Sequence, residues 1–291
     1  MLDLCFDVVI YIFVRFCYNN PQLNPVKRTK EEAVILAKKL RIEIFHARLD
    51  TKVHYLDGTY YFFKIFNHLY PVLNELIGPK IARYLELRSA QNYPAIMQYH
   101  RNNKFYGIVS KNFKDPNKEY KNIFQLGFNN KTSPHYRNIR KLKKYCRKED
   151  YEEILNDIFK MTALDYLMGQ KDRVASNFLF EQDGDKITLA PLFDYAESYD
   201  HIKWGCYFNQ EKVKRSCSVG NALFAPAFWD PKFKKFLKKY PRFQKYLEKI
   251  QEIDIIEILK EIEDEHKLII PEDYKKYYDV RTKEKQKSLV L

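Results

Sequence analysis

The chain has 291 residues, 45% hydrophobic and 16% aromatic, which excludes a mainly disordered protein and allows one large core or two lobes. With 51 Lys and Arg against 38 Asp and Glu, the formal charge is +13, a balance that attracts polyanions without choosing among nucleotides, nucleic acid and acidic protein. Five Cys without a C-x-x-C pair argue against a disulfide framework and a zinc ribbon and fit a reducing cytosol. No H-E-x-x-H, G-x-S-x-G or G-x-x-x-x-G-K-[ST] occurs, which weighs against zinc-protease, α/β-hydrolase and P-loop chemistry.

Leu2 to Tyr18 is strongly apolar. Asp3 and Asp7 replace the basic region of a signal peptide, Arg15 breaks the run, and Val8 to Val14 is too short to cross a bilayer. A core-packed or edge segment is expected there, and no membrane span. Asn19 to Thr29 reads as a loop, and Thr29 with Glu32 makes a capping box for a helix to about Leu40. Val53 to Phe66 reads as a hairpin closing at Asp57-Gly58. Lys64 is a charge in an otherwise apolar strand; a phosphate-binding lysine and an edge-strand lysine that discourages aggregation both fit.

A helix is expected from about Asn74 to Arg88, with Glu75 as a partner for Lys64 and Glu86 as a second candidate on a solvated face. Pro79 suits only a first turn or a kink, so the helix is expected to begin near Glu75. Tyr99 to Phe113 reads as a second β pair around Asn102-Asn103, and Lys114 to Lys121 as a linker. Asn129 to Arg147 reads as a loop bearing the basic cluster Arg137, Arg140, Lys141, Lys143, Lys144, Arg147 and Lys148. Asp150 with Glu153 caps a helix through Met168, ended by Gly169, with a buried stripe of Ile154, Leu155, Ile158, Phe159, Leu164 and Leu167.

That helix leads directly into Lys171-Asp172. Asp172 and Asn177 lie five positions apart, the spacing of base and metal-binding Asn in the kinase catalytic loop. Phe178 to Phe180 and Ile187 to Leu189, joined by Asp183-Gly184-Asp185, form a hairpin with Asn177 at its entrance and Asp194 past its exit. Asp-Arg and Asp-Gly pairs also occur at turns for local reasons. Together, in this order, the three oxygen donors fit phosphoryl transfer: one carboxylate facing an acceptor hydroxyl, an amide and a second carboxylate on magnesium. Beyond Asp194 the pattern is helical, with a Lys-rich run over Lys232 to Tyr240, an amphipathic stretch over Gln244 to Glu263 and a last helix opened by Pro271. The expected fold is α+β: a two-lobed kinase-like fold with an apolar segment 1–25, a small β-containing N-lobe over 26–113 and a larger, mostly helical C-lobe over 114–291.

The stretch from Asp165 through Gly169-Gln-Lys-Asp172-Arg-Val-Ala-Ser-Asn177 to Leu189-Ala-Pro-Leu-Phe-Asp194-Tyr-Ala-Glu-Ser resembles the HipA-like serine/threonine kinases of bacteria. That family has a Gly-x-x-Asp-Arg-His-x-x-Asn loop, a hairpin, then Ala-Pro-Leu-Phe/Tyr-Asp. The resemblance implies that Asp172 orients and deprotonates the acceptor hydroxyl, that Asn177 and Asp194 ligate magnesium, that Lys64 contacts the ATP phosphates and that Glu75 holds Lys64. It further implies ATP and Mg as cofactors, a Ser/Thr protein substrate that could include the chain itself, an antitoxin-type regulatory partner, and a cytoplasmic protein or secreted effector; for the basic cluster, nucleic-acid binding stays open, with direct contact the less expected reading. The chain departs from the family at Val174, where His is usual, in lacking a Gly-rich loop before Lys64, and in being shorter than full-length toxins. Two alternatives stay open: a catalytically weak kinase fold acting as a binding module, and a kinase for a small-molecule or lipid acceptor.

Overall fold

The computed structural model describes residues 7–8, 10–11, 42–44, 50–54, 60–66, 69–99, 103–123, 125–126, 135–170, 173, 177, 179–199, 225 and 231–289. The expected helix from Thr29 to Leu40, the Asp57-Gly58 turn, Asp172 and Val174 lie outside the described residues. The chain divides into two units, one of residues 1–77, 90–113 and 256–277, the other of 78–89, 114–255 and 278–291.

The first unit contains an antiparallel sheet of β1 (Asp7–Val8), β2 (Ile10–Tyr11), β3 (Ile42–Ile44), β4 (Asp50–His54), β5 (Tyr60–Phe66), β6 (Asn92–Tyr99) and β7 (Asn103–Lys111), in the order β1-β3-β4-β5-β7-β6-β2. β1 and β2 are one residue apart in sequence yet pair with opposite ends of the sheet, so the sheet curls until its ends meet. β5 is an interior strand, paired with β4 on one side and β7 on the other. It sets Lys64 opposite Asp50 of β4 and Ile108 of β7. Lys64 is therefore not an edge-strand charge.

The helix α1 (Leu69–Tyr84) begins well before Glu75 and contains Pro79 in its interior, contrary to the sequence expectation. Its apolar residues outweigh the lost backbone bond: Val72, Leu73, Leu76, Ile77 and Ile81 are all buried.

In the second unit, α2 (His135–Tyr145) replaces the loop expected over the basic cluster. Asn138, Ile139 and Leu142 supply a buried face that composition alone hides. The next helix, α3 (Lys148–Met168), starts before Asp150, whose carboxylate takes the Arg147 guanidinium at 2.9 Å instead of capping. Gly169 ends it at φ 60°, a left-handed conformation that glycine adopts without a Cβ clash. The α3 stripe packs against rings from α4 (Phe233–Lys239) and α5 (Pro241–Gln251), with Phe159 5.1 Å from Phe243 and 6.1 Å from Phe236.

The amphipathic stretch from Gln244 to Glu263 falls on two helices, α5 and α6 (Ile255–His266). Gln286, on α7 (Glu272–Ser288), donates to the carbonyls of Ile250, Gln251 and Ile253, which satisfies the open end of α5.

The presumed linker contains a strand, β8 (Glu119–Asn122), which pairs with β9 (Leu179–Asp183), and β9 pairs in turn with β10 (Lys186–Leu189). Glu181 of β9 anchors it, taking Lys118 at 3.0 Å and the Tyr120 hydroxyl at 3.1 Å. Asp150 also accepts the Ile187 N–H of β10 at 3.4 Å. The Arg147 guanidinium holds the Asp150 carboxyl below the usual carboxylate range. This stabilisation is therefore present above the ordinary unfolded value of about 4 and is lost as pH falls through the lowered folded value. The Arg147 side chain is exposed, so solvent screens the pair and the effect is expected to be small. Asp150→Asn should flatten the acid limb of stability between about pH 5 and pH 3, checked by urea midpoints across that range.

Gly78 marks a close approach in this unit. A Cβ there would stand 2.3 Å from Cγ of Tyr195, whose ring is held on other sides by the Ser89 hydroxyl at 2.9 Å and by Arg173 at 5.2 Å. Gly78→Ala is expected to cost roughly 1–3 kcal/mol in unfolding free energy, measured by denaturant titration, because the ring cannot yield freely.

Candidate active site

Hairpin register builds the site in the second unit. Leu189 pairs with Phe180, and the Ala190 N–H donates to the Leu179 carbonyl at 2.9 Å, so the chain leaves the hairpin beside the point where it entered. Asn177 precedes the entrance and Asp194 follows the exit. Both segments are then tied to one side chain. Arg173 Nη1 donates to the Asn177 carbonyl at 3.0 Å and to the Phe193 carbonyl at 2.6 Å. One nitrogen bonding both carbonyls brings the backbones carrying Asn177 and Asp194 together.

Arg173 is 1% exposed and is itself held by Asp165 of α3, with Nη2 3.2 Å from Oδ1 and Nε 3.2 Å from Oδ2. Burial pushes the Asp165 carboxyl up while the guanidinium pulls it back. Burial also works against the Arg173 charge, but Asp165 and Tyr195 favour it and the net direction is upward. The last turn of α3 thus grips both segments through one cation.

Asp194 has φ 63°, a left-handed conformation uncommon outside glycine and most tolerable for Asp and Asn. Gln170 Nε2 donates to its carbonyl at 2.7 Å and fixes this backbone. Strain of this kind persists where surrounding structure over-determines it, and it gathers at functional sites. Asn177 is 8% exposed. An amide oxygen and a carboxylate are hard donors of the type magnesium takes. Asp172, two residues beyond the fixed Gln170 and one before the buried Arg173, lies outside the described residues.

In the first unit, Lys64 Nζ lies 2.9 Å from Glu75 Oε1, with Glu75 fully buried and the Lys64 side chain 20% exposed. A buried carboxylate holding a partly exposed ammonium presents one cation in a fixed position, a geometry suited to an anionic oxygen. Glu86, the other candidate, is exposed and pairs with Lys249 at 3.0 Å. Sequence reasoning gave no role to Arg173, Asp165, Asn92 or Ser110. Asp165 and Arg173 entered the sequence argument only as members of the stretch that carries the resemblance, and nothing local paired them with each other. A cavity of about 300 Å³ in the second unit, lined by residues including Arg88, Lys118, Asp157 and Glu181, includes none of the candidate residues.

No helix among the described residues is long and apolar enough to cross a membrane. No family model matches the sequence, and no curated protein matches it. Solved structures do share the fold. The Helicobacter pylori proinflammatory kinase CtkA superposes with a TM-score of 0.50 at 14% identity, over 86% of this chain and 93% of that one. HipA of Shewanella oneidensis MR-1, solved in a toxin–antitoxin complex with HipB and operator DNA, gives 0.56 at 15% identity, over 93% of this chain and 72% of that one. The chain therefore has a HipA-like kinase fold of the α+β class.

Proposed function

We propose that the chain is an ATP- and magnesium-dependent kinase that transfers the γ-phosphoryl group to Ser or Thr of a protein, its own residues included. The observation that supports this reading is the double grip of Arg173 on the carbonyls of Asn177 and Phe193, which ties the backbone at Asn177 to the backbone just before Asp194. The buried Glu75 carboxylate under Lys64 supports it from the first unit.

In this reading Lys64, restrained by Glu75, neutralises phosphate oxygens. Asn177 and Asp194 present an amide oxygen and a carboxylate to magnesium, and Arg173, Gln170 and Asp165 keep these donors from drifting. When bound, the metal supplies charge neutralisation for the phosphates. Asp172 orients the acceptor hydroxyl and takes its proton as the new P–O bond forms and the bond to the departing ADP breaks. The basic surface and the fold shared with a HipB-bound HipA suit an antitoxin-type protein partner.

The test incubates the purified chain with labelled ATP and magnesium, alone and with a protein mixture, and locates the phosphate by mass spectrometry. Phosphoserine or phosphothreonine is the expected product. Phosphate appearing only on small molecules or lipids would replace the protein acceptor. Tight ATP binding without transfer to any acceptor would make the chain a binding module.

A further inference from the structure

Pro79 stands four residues after Glu75 in α1 and has no N–H, so the Glu75 carbonyl loses the donor a regular helix would give it. Asn92, the first residue of β6, supplies a replacement. Its Nδ2 donates to Glu75 O at 2.8 Å and to Glu75 Oε2 at 3.0 Å. Its Oδ1 accepts the hydroxyl of Ser110, its register partner on β7. The amide orientation follows from chemistry, since a flipped amide would turn its oxygen onto a carbonyl and a carboxylate.

Every group in this cluster has a defined task. Lys64 takes Oε1 of Glu75, and Asn92 takes Oε2 together with the backbone of the same residue. Glu75 is fully buried and Asn92 is 8% exposed, so the bonds form away from competing water. Holding one residue by both its main chain and its side chain fixes the rotamer as well as the helix position. The Lys–Glu ion pair alone would not do so, because a single bond leaves the carboxylate free to rotate.

We propose that Asn92, seated by Ser110, is a positioning residue that keeps Glu75 turned onto Lys64, so that the phosphate-binding lysine is set before nucleotide arrives. This inference rests on the phosphotransferase reading above. Pro79 is part of the device, because its missing N–H leaves the carbonyl that Asn92 uses. Such a chain would need no separate activating event to form the Lys64–Glu75 pair.

The experiment measures kcat and ATP KM for phosphate transfer, with ATP affinity by titration, in the wild type, Asn92→Ala, Glu75→Ala and the double variant. Asn92→Ala should raise ATP KM and lower kcat/KM by roughly ten- to hundredfold, the scale of a misplaced positioning group. The double variant should be no worse than Glu75→Ala, because Asn92 acts through Glu75. A purely structural role would reduce the active fraction at unchanged KM and would add to the Glu75→Ala loss. Additive losses, or wild-type kcat/KM in Asn92→Ala, overturn the inference. If Asn92→Ala does not fold, Ser110→Ala carries the test with a smaller rise in KM that Ser110→Thr restores; an unchanged KM in Ser110→Ala then overturns it. A wild-type chain that neither binds ATP nor transfers phosphate overturns the kinase reading and this inference with it. An active wild type with an unaffected Asn92→Ala overturns the inference alone.

Discussion

Asp194→Asn is expected to lower kcat for phosphate transfer by roughly two to four decades, and Asp172→Asn by a similar factor. Asparagine is the informative replacement at Asp194, because it tolerates the φ of 63° while removing the charge. The two losses arise differently. Asp194→Asn weakens the hold on the metal and should also weaken magnesium-dependent ATP binding. Asp172→Asn removes a proton acceptor and should leave ATP affinity close to that of the wild type. Since both residues serve one transition state, the double variant should fall far short of the product of the two losses. Single-turnover transfer and ATP titration on the three variants separate these effects. Wild-type turnover in either single variant would remove that residue from the chemistry.

Arg173→Met is expected to reduce unfolding free energy by about 3–5 kcal/mol, the cost of leaving a buried carboxylate without its partner. Asp165 would stay in the interior without the guanidinium 3.2 Å away, and the carbonyls of Asn177 and Phe193 would lose their shared donor. Arg173→Lys should recover only part of the loss, since one ammonium cannot span a carboxylate and two carbonyls. Replacing both partners by Asp165→Leu with Arg173→Met should restore much of the stability without restoring transfer. Denaturant titration beside a transfer assay distinguishes the two roles. A stable, fully active Arg173→Met chain would contradict the part given to Arg173 in gathering the metal donors.

Side-chain chemistry was legible in the sequence wherever a residue type clashed with its surroundings. Lys64 stood out as a charge in an apolar strand, and a carboxylate near the following helix suggested Glu75; the 2.9 Å pair follows that pattern. The Asp194 signal came from hairpin spacing, and the observed register brings the hairpin's two ends together as that spacing requires. Contacts between residues distant in sequence were not legible. Pro79 was read as a first-turn or kink residue, which placed the helix start near Glu75, because its local penalty is large; tertiary burial of α1 absorbs that penalty. Counting four residues back from Pro79 would have located the open carbonyl at Glu75, yet nothing local names Asn92 as its donor. β8 was taken for a linker because its charged residues hide a strand whose partners lie on β9, some sixty positions away. The basic run of α2 concealed its apolar face for the same reason, since charge dominates a short window.

ATP binding with and without magnesium, followed by calorimetric titration of the wild type and Asp194→Asn, tests the kinase reading without needing to know the acceptor. The wild type should bind ATP markedly more tightly with magnesium than in a chelator, and Asp194→Asn should lose most of that difference. A wild type that binds no ATP under either condition, or an Asp194→Asn chain with the full magnesium effect, would contradict the site assembled around Arg173.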